Sequence, residues 1–192
     1  MTPITPDRSP TKAQVARLAR YKRIIDTARD IAETDGWAAV TVRRLADAIG
    51  YSQPVLYGHF PDGRDGIVRA VAMDGFTRLA DTLTASAPSA GAVVDGYLAF
   101  AAAHPATYEA MFSMPTDIVF AADDTPETLR ASFARLMTVV AGADDPETSA
   151  ELLWTALHGL VELQRHGRLR PAYAQDRRDR LVAVFTNHDD RR

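Results

Sequence analysis

The strongest constraint on this chain is a glycine, Gly50, set between two short stretches of helical periodicity. Before it, Thr41 stands ahead of Leu45, Ala46 and Ile49, whose spacing gives a helix one apolar edge that Thr41 can cap. After it, Ser52 can cap a second helix whose Val55, Leu56 and Phe60 pack back. A glycine at the junction supplies the left-handed backbone that ends the first helix, and two short helices joined in this way form a helix-turn-helix. The core has no use for Gln53, Tyr57 and His59, which are left facing outward. A Gln amide fits the N6/N7 edge of adenine, and hydroxyl or imidazole groups suit phosphate oxygens.

The charge is distributed to match. The net charge of the chain is −3, yet residues 1 to 60 carry +3 and residues 61 to 192 carry −6, a basic head on an acidic body. Such a polarity orients a protein head-first on DNA, because the phosphate attraction is screened beyond about 10 Å at moderate salt. With 192 residues, 46% of them hydrophobic, the chain can bury a substantial core. The absence of cysteine excludes disulfides, thiolate metal sites and thiol nucleophiles. No apolar run approaches the ~20 residues of a membrane span, and the opening MTPITPDRSP lacks the apolar core of a signal peptide, so a soluble, cytoplasmic protein is expected.

Around the central motif the chain reads as all-α, with about nine helices. Residues 1 to 11 are expected to be a disordered extension, 12 to 62 the helix-turn-helix domain, and 63 to 192 a helical body for ligand binding and dimerisation. A long first helix from about Lys12 to Asp35 carries Leu18, Tyr21, Ile24, Ile25, Ala28, Ile31 and Ala32 at helical spacing and stops at Gly36. Its Arg17, Arg20, Lys22 and Arg23 form either a solvated face or a phosphate-contacting one. Asp62 is placed to cap a fourth, linking helix that runs to about Thr84. Further helices are expected at 89 to 103, 105 to 112, 125 to 142, 146 to 167 and 175 to 187, separated by Gly, Pro and Asp clusters. No long alternating stretch predicts a strand, which disfavours a winged helix.

The segments D-G-W, T-V-R-R-L-A-D-A-I-G and Y-S-Q-P-V-L-Y-G-H-F, closing on Tyr57, His59 and Phe60, resemble the DNA-binding domain of the tetracycline-repressor (TetR) family. In the second half, A-H-P-A-T-Y-E-A-M-F and L-L-W-T-A-L-H-G-L-V-E-L resemble a TetR subgroup marked by His-Pro-x-x-Tyr and Trp-x-x-x-His-Gly. The resemblance implies that Arg43 and Gln53 read base edges, that Thr41, Ser52, Tyr57 and His59 hold phosphates, and that Val55 meets a thymine methyl, with Arg44 and Pro54 on the same surface. Two positions depart from the pattern. Gly58 stands where many relatives carry a large residue, and Gly63 stands where a phosphate-binding Lys is usual, so that Arg64 would take that contact by a shift of one residue.

The body concentrates aromatic residues and methionine. The resemblance implies an effector cavity between its helices, for which Tyr97, Phe100, His104, Tyr108, Met111, Phe112, Phe133, Met137, Trp154 and His158 are the candidates. Trp154 and His158, four apart, share a helical face; His158 is open between a hydrogen-bonded core histidine and a ligand contact, and His104 between a helix-terminus residue and a ligand contact. No cofactor is called for, and no His or carboxylate spacing compels a metal. Leu153, Leu157, Leu160, Val161 and Gln164, with Leu181, Val182 and Phe185, form stripes that the resemblance assigns to a four-helix dimer bundle.

The resulting expectation is a ligand-responsive transcriptional regulator, a repressor, that binds a palindromic DNA operator as a homodimer and answers to a hydrophobic small molecule. The alternatives are a small all-α enzyme using His158 and Glu162, which leaves the outward Arg43, Gln53, Tyr57 and His59 unexplained, or an architectural DNA-binding protein without an effector.

Overall fold

In a computed structural model that describes residues 11–85, 89–116 and 125–186, the chain is helical, with nine α-helices and no strand among those residues. The expected extension at residues 1–10 lies outside the described residues. Two compact units are formed, Met1–Val71 and Ala72–Arg192.

The head begins with α1 (Lys12–Asp35), whose start is fixed by a capping box: Gln14 donates its backbone N–H to the Thr11 hydroxyl at 3.2 Å, and the Thr11 N–H donates to the Gln14 side chain at 2.7 Å. Thr11 therefore belongs to the helix entry and not to the extension expected from the sequence. The apolar face of α1 becomes core only at Ile24, continuing through Ile25, Ala28, Ile31 and Ala32. Leu18, expected on that face, is 63% exposed, so the first turns of α1 brace nothing apolar beyond Tyr21, which stacks on Phe60 at 5.1 Å. Gly36, at φ +79, ends α1, and a 3-10 turn (Trp37–Ala39) buries Trp37 before α2 (Val42–Ile49). Thr41 caps α2, accepting the Arg44 N–H at 3.1 Å, and Gly50 adopts the left-handed conformation at φ +70. The second helix of the motif, α3 (Gln53–Tyr57), is short, with Ser52 at its N-cap making no side-chain capping bond. Leu45, Ala46, Ile49, Leu56 and Phe60 are buried as their spacing requires, whereas Val55 is only half-buried.

The fourth helix, α4 (Arg64–Ala85), begins two residues after Asp62, whose carboxylate accepts from Arg69 at 3.3 Å. The boundary between the units falls inside α4, not at its start, because Ile67, Val68, Ala70 and Val71 are buried within the first unit.

The body adds α5 (Ala90–Ala103), α6 (Pro105–Phe112), α7 (Glu127–Val139), α8 (Pro146–Arg165) and α9 (Ala174–Thr186) to the second half of α4. Here α5 is central, packing against α6, α7, α8 and α9. Its Val93, Val94, Tyr97, Phe100 and Ala101 are buried, a nearly all-apolar sequence for a helix surrounded on most sides. By contrast α9 buries no residue. It is tied to α5 by Arg178, whose guanidinium donates twice to Asp95, at 2.8 and 2.6 Å, over the space that Gly91 leaves by lacking a side chain.

The inward stripe of α8 is Leu153, Leu157 and Val161, all buried within the subunit. These three were expected at a dimer interface, and their burial removes them from it. A helix that faces its own core with positions 153, 157 and 161 turns the neighbouring stripe outward: Leu152 is 57% and Leu163 42% exposed, and between them Gly159 has nothing of its own chain within 4 Å of where a Cβ would lie. Leu160, Leu181, Val182 and Phe185 are half-buried and Gln164 is exposed.

Candidate nucleic-acid interface and body cavity

On the head, the short α3 leaves Gln53, Pro54 and Tyr57 exposed, and Thr41, Arg43 and Arg44 at the start of α2 are exposed too. Arg43 projects freely, while Arg44 is ion-paired with Asp35 at the end of α1. Because the Ser52 hydroxyl is not spent on the helix, it remains available to a phosphate oxygen.

His59 sits differently from its expected outward position. It is half-buried beside Tyr21, ring centroids 6.5 Å apart, and with Arg17, Arg20, Tyr51, Val55 and Gly58 it lines a cleft of about 330 Å3. Burial holds its pKa below the ordinary histidine value, and the positive charges of Arg17 and Arg20 push in the same direction. Gly58 contributes no side chain to the cleft. The Arg23 guanidinium lies over the Tyr51 ring at 5.9 Å, and Lys22 pairs with Asp26 at 2.8 Å. Of Arg17, Arg20, Lys22 and Arg23 on α1, Arg17 and Arg20 thus line a cleft with residues of α3 and its flanks.

Arg64 is turned toward the protein. Its Nε donates to the Val40 carbonyl at 3.2 Å and a terminal nitrogen donates to the Trp37 carbonyl at 3.0 Å, so the guanidinium staples the 3-10 turn to the start of α4. The preceding Gly63 adopts φ +59, and a Cβ there would lie 3.3 Å from the Tyr57 ring. A side chain at 63 would meet both backbone strain and that ring.

In the body, a cavity of about 430 Å3 is walled by Phe76, Leu79 and Leu83 of α4, Tyr97 of α5, Phe112 of α6, residues of α7 including Phe133 and Met137, and Trp154 of α8. Exposed Arg130, Glu147 and Glu151 also border it. The volume is in the range that holds a small organic ligand. Five of the ten candidates from the sequence, Tyr97, Phe112, Phe133, Met137 and Trp154, line it. The other five lie elsewhere. Phe100 is buried against His104, and His104 sits at the α5–α6 junction with its Nε2 3.2 Å from Arg78. Met111 is buried in the space that Gly75 leaves. Tyr108 and His158 are linked by a hydrogen bond of 2.8 Å between the phenol and Nδ1, behind the cavity wall.

Sequence reasoning missed the wall of α4 and most of that of α7. Phe76, Leu79 and Leu83 carried a visible signal, an apolar stripe continuing past the head; Leu129, Ser132 and Leu136 carried none beyond ordinary helical spacing.

A three-helix head that exposes Arg43 and Gln53 and carries a basic cleft, followed by a helical body with a cavity, defines the class of helix-turn-helix transcriptional regulators. The chain belongs to the TetR family. Residues 24–71 match the family model "Bacterial regulatory proteins, tetR family", and residues 91–186 match "Tetracyclin repressor-like, C-terminal domain". The "Uncharacterized HTH-type transcriptional regulator Rv0681" of Mycobacterium tuberculosis is 30% identical over 168 residues, covering 80% of this chain and 74% of that protein. Among solved structures, a protein with unknown function from Rhodococcus sp. RHA1 superimposes with a TM-score of 0.69 at 22% identity, covering 96% of this chain and 97% of its own. The putative regulatory protein SCO4313 gives 0.67 at 22%, covering 91% and 100%. The protein is a DNA-binding transcriptional regulator and not an enzyme, and no helix among the described residues is long and apolar enough to cross a membrane.

Proposed function

We propose that the protein is a cytoplasmic, ligand-responsive repressor that binds a palindromic operator as a homodimer and releases it when a hydrophobic molecule enters the body cavity. The observation that carries the DNA half of this proposal is the exposure of Arg43, Gln53 and Tyr57 on a head that also carries the cleft of Arg17, Arg20 and His59. Arg43 and Gln53 read base edges in the major groove. Thr41, Ser52, Tyr57 and His59 hold phosphates, with Arg17 and Arg20 adding positive charge at that edge. Arg64 braces the head from within.

The homodimer is supported by the outward stripe of α8, Leu152, Gly159 and Leu163, together with Val184 of α9, which is 70% exposed. An exposed apolar stripe at helical spacing is what a second copy of the same helix covers, and a dimer presents two heads to two half-sites. The effector half is supported by the cavity, which an architectural protein without a ligand does not need. Bound ligand lowers operator affinity only if it prefers the state that does not bind DNA; a coupling of about 1–3 kcal/mol gives roughly 5–150-fold. α4 is the one described helix with residues in both units, so the Gly63 turn just before it is where that preference would be expressed.

A gel shift on DNA flanking the protein's own coding region, with and without a hydrophobic extract, tests the proposal. Salt-sensitive binding to one duplex, relieved by the extract, is expected. Binding that the extract leaves unchanged would remove the effector, and no preference for any duplex would remove the operator.

A further inference from the structure

Between the cavity and α8 runs a hydrogen-bonded chain that the expected function does not require. The Trp154 indole N–H donates to the Tyr97 hydroxyl, the Tyr97 and Tyr108 hydroxyls are 2.9 Å apart, and the Tyr108 hydroxyl is 2.8 Å from His158 Nδ1. Tyr97 is 1% exposed and Tyr108 fully buried. Burial raises the pKa of both phenols, that of Tyr97 to about 12, so both stay protonated. An indole N–H can only donate. Each hydroxyl has one proton, so the chain is satisfied in one direction: Trp154 to Tyr97, Tyr97 to Tyr108, Tyr108 to His158, with Nδ1 accepting. Burial holds the His158 pKa below the ordinary value, which keeps the ring neutral and able to accept.

A proton placed on Nδ1 inverts this order. The imidazolium then donates to Tyr108, Tyr108 rotates its O–H to donate to Tyr97, and the proton of Tyr97 is left opposite an indole that cannot accept it. Tyr97 and Trp154 both line the cavity. From this geometry we infer that the cavity takes an apolar molecule carrying one hydrogen-bond acceptor, a carbonyl, which receives the Tyr97 O–H, and that His158 takes up a proton from solvent as the molecule binds. No bond between heavy atoms changes. One proton is gained, at His158, and two hydroxyls exchange the direction in which they donate.

The groups that face His158 make the step feasible. On its own helix the Glu162 carboxylate favours the charged ring and Arg165 opposes it, with Arg165 held between Glu162 at 3.3 Å and Glu109 of α6 at 3.4 Å and His166 3.9 Å from Glu162; also from α6, Tyr108 stacks on the ring at 5.7 Å and Phe112 lies at 5.2 Å. A shift between the two neutral tautomers would invert the chain without a net proton, but it would strip the second ring nitrogen of its hydrogen beside a field set by Glu162.

The inference rests on the cavity being the effector site, and the experiment separates the two. 2-Acetylnaphthalene and 2-ethylnaphthalene are similar in shape, neither titrates, and only the ketone offers an acceptor. Their affinities are measured by Trp fluorescence on the full chain at about pH 7.5 and about pH 5.5, on either side of the ordinary histidine value, and proton uptake by calorimetry in two buffers of different ionisation enthalpy. The ketone is expected to bind about five- to tenfold more tightly than the hydrocarbon, the size of one buried hydrogen bond, with an advantage that grows as the pH falls and with proton uptake that the hydrocarbon lacks. Tyr108→Phe, which keeps the ring and cuts the chain, abolishes both the pH dependence and the uptake; Tyr97→Phe is a second cut at the other end should the first variant not fold. Equal binding of the two probes, or an advantage for the ketone that is independent of pH, overturns the proton coupling while leaving the cavity as a ligand site. Binding of neither probe overturns the cavity as the site for such molecules, and the inference with it.

Discussion

The head and the body are both helical, but they keep their candidate functional residues in opposite ways. In the head, two helices of eight and five residues leave so little room for a core that Leu45, Ala46, Ile49 and Leu56 fill it, and what remains faces outward by default. The functional surface is the residue set that packing rejects. In the body, the proposed ligand surface is the wall of a cavity, made mostly of side chains chemically no different from the core around them. Phe112 and Phe133 line the cavity while Phe100 and Met111 do not, and all four are the residue types that build an apolar interior. A surface defined by exclusion can be read from a pattern of polarity, but a void is a property of how several helices fail to meet.

The sharpest way to break this comparison is through the inward stripe of α8. Leu157→Ala deletes a fully buried side chain and is expected to destabilise the protein by about 2–5 kcal/mol in denaturant unfolding. Leu152→Ala, one face over, should cost no more than about 0.5 kcal/mol of subunit stability. Leu152→Glu with Leu163→Glu should instead shift the sedimentation profile toward monomer. A reversal of these roles would restore the interface expected from the sequence.

A smaller effect is expected in the head. Arg64→Ala leaves the carbonyls of Trp37 and Val40 without their donor and should lower head stability by about 1–3 kcal/mol. The slope of log affinity against log salt should stay unchanged, because the guanidinium is committed to the protein. A slope flattened by about one unit would return Arg64 to the phosphates.

The smallest effect is a dependence on pH. His59 and His158 both have folded-state pKa values below the unfolded value of 6.5. Above that pH both states are neutral and stability is unaffected. As the pH falls below it, the unfolded chain takes protons that the folded protein resists, so stability declines until the lowered folded values are reached. Melting curves taken across this window should show the decline. His158→Gln should reduce it more than His59→Gln, because His59 lines a cleft open to solvent; equal reductions would mean the body is no drier than the head.

How much could be read from sequence follows the same division. The Thr41 cap, the left-handed Gly50 and the burial of Leu56 and Phe60 rest on interactions within a few residues, and α6 falls on the expected 105 to 112 because Pro105 fixes its start. The stripe of α8 was legible as a stripe but misread by one position, since Leu152, Leu153, Leu157, Leu160 and Leu163 leave two apolar edges on the same helix and only tertiary packing chooses which one turns in. Leu18 was misassigned for a related reason: helical spacing continues to the start of α1, but the partner that would bury it does not. Arg64 looked like a displaced phosphate ligand because its carbonyl partners lie 24 and 27 residues away in sequence. The hydrogen-bonded chain from Trp154 to His158 was half visible, in the i,i+4 spacing of those two residues, while Tyr97 and Tyr108 join it only through the packing of α5 and α6 on α8.

The central claim, that the outward residues of a two-helix motif read a two-fold symmetric DNA sequence, is tested most directly by selection from random duplexes with the wild-type protein and with Arg43→Ala. The wild type should return a palindrome, and the variant should lose preference at one symmetric pair of positions, worth about 1–3 kcal/mol per contact, with the rest of the sequence retained. A selected pool without two-fold symmetry, or an unaltered preference in Arg43→Ala, would contradict it.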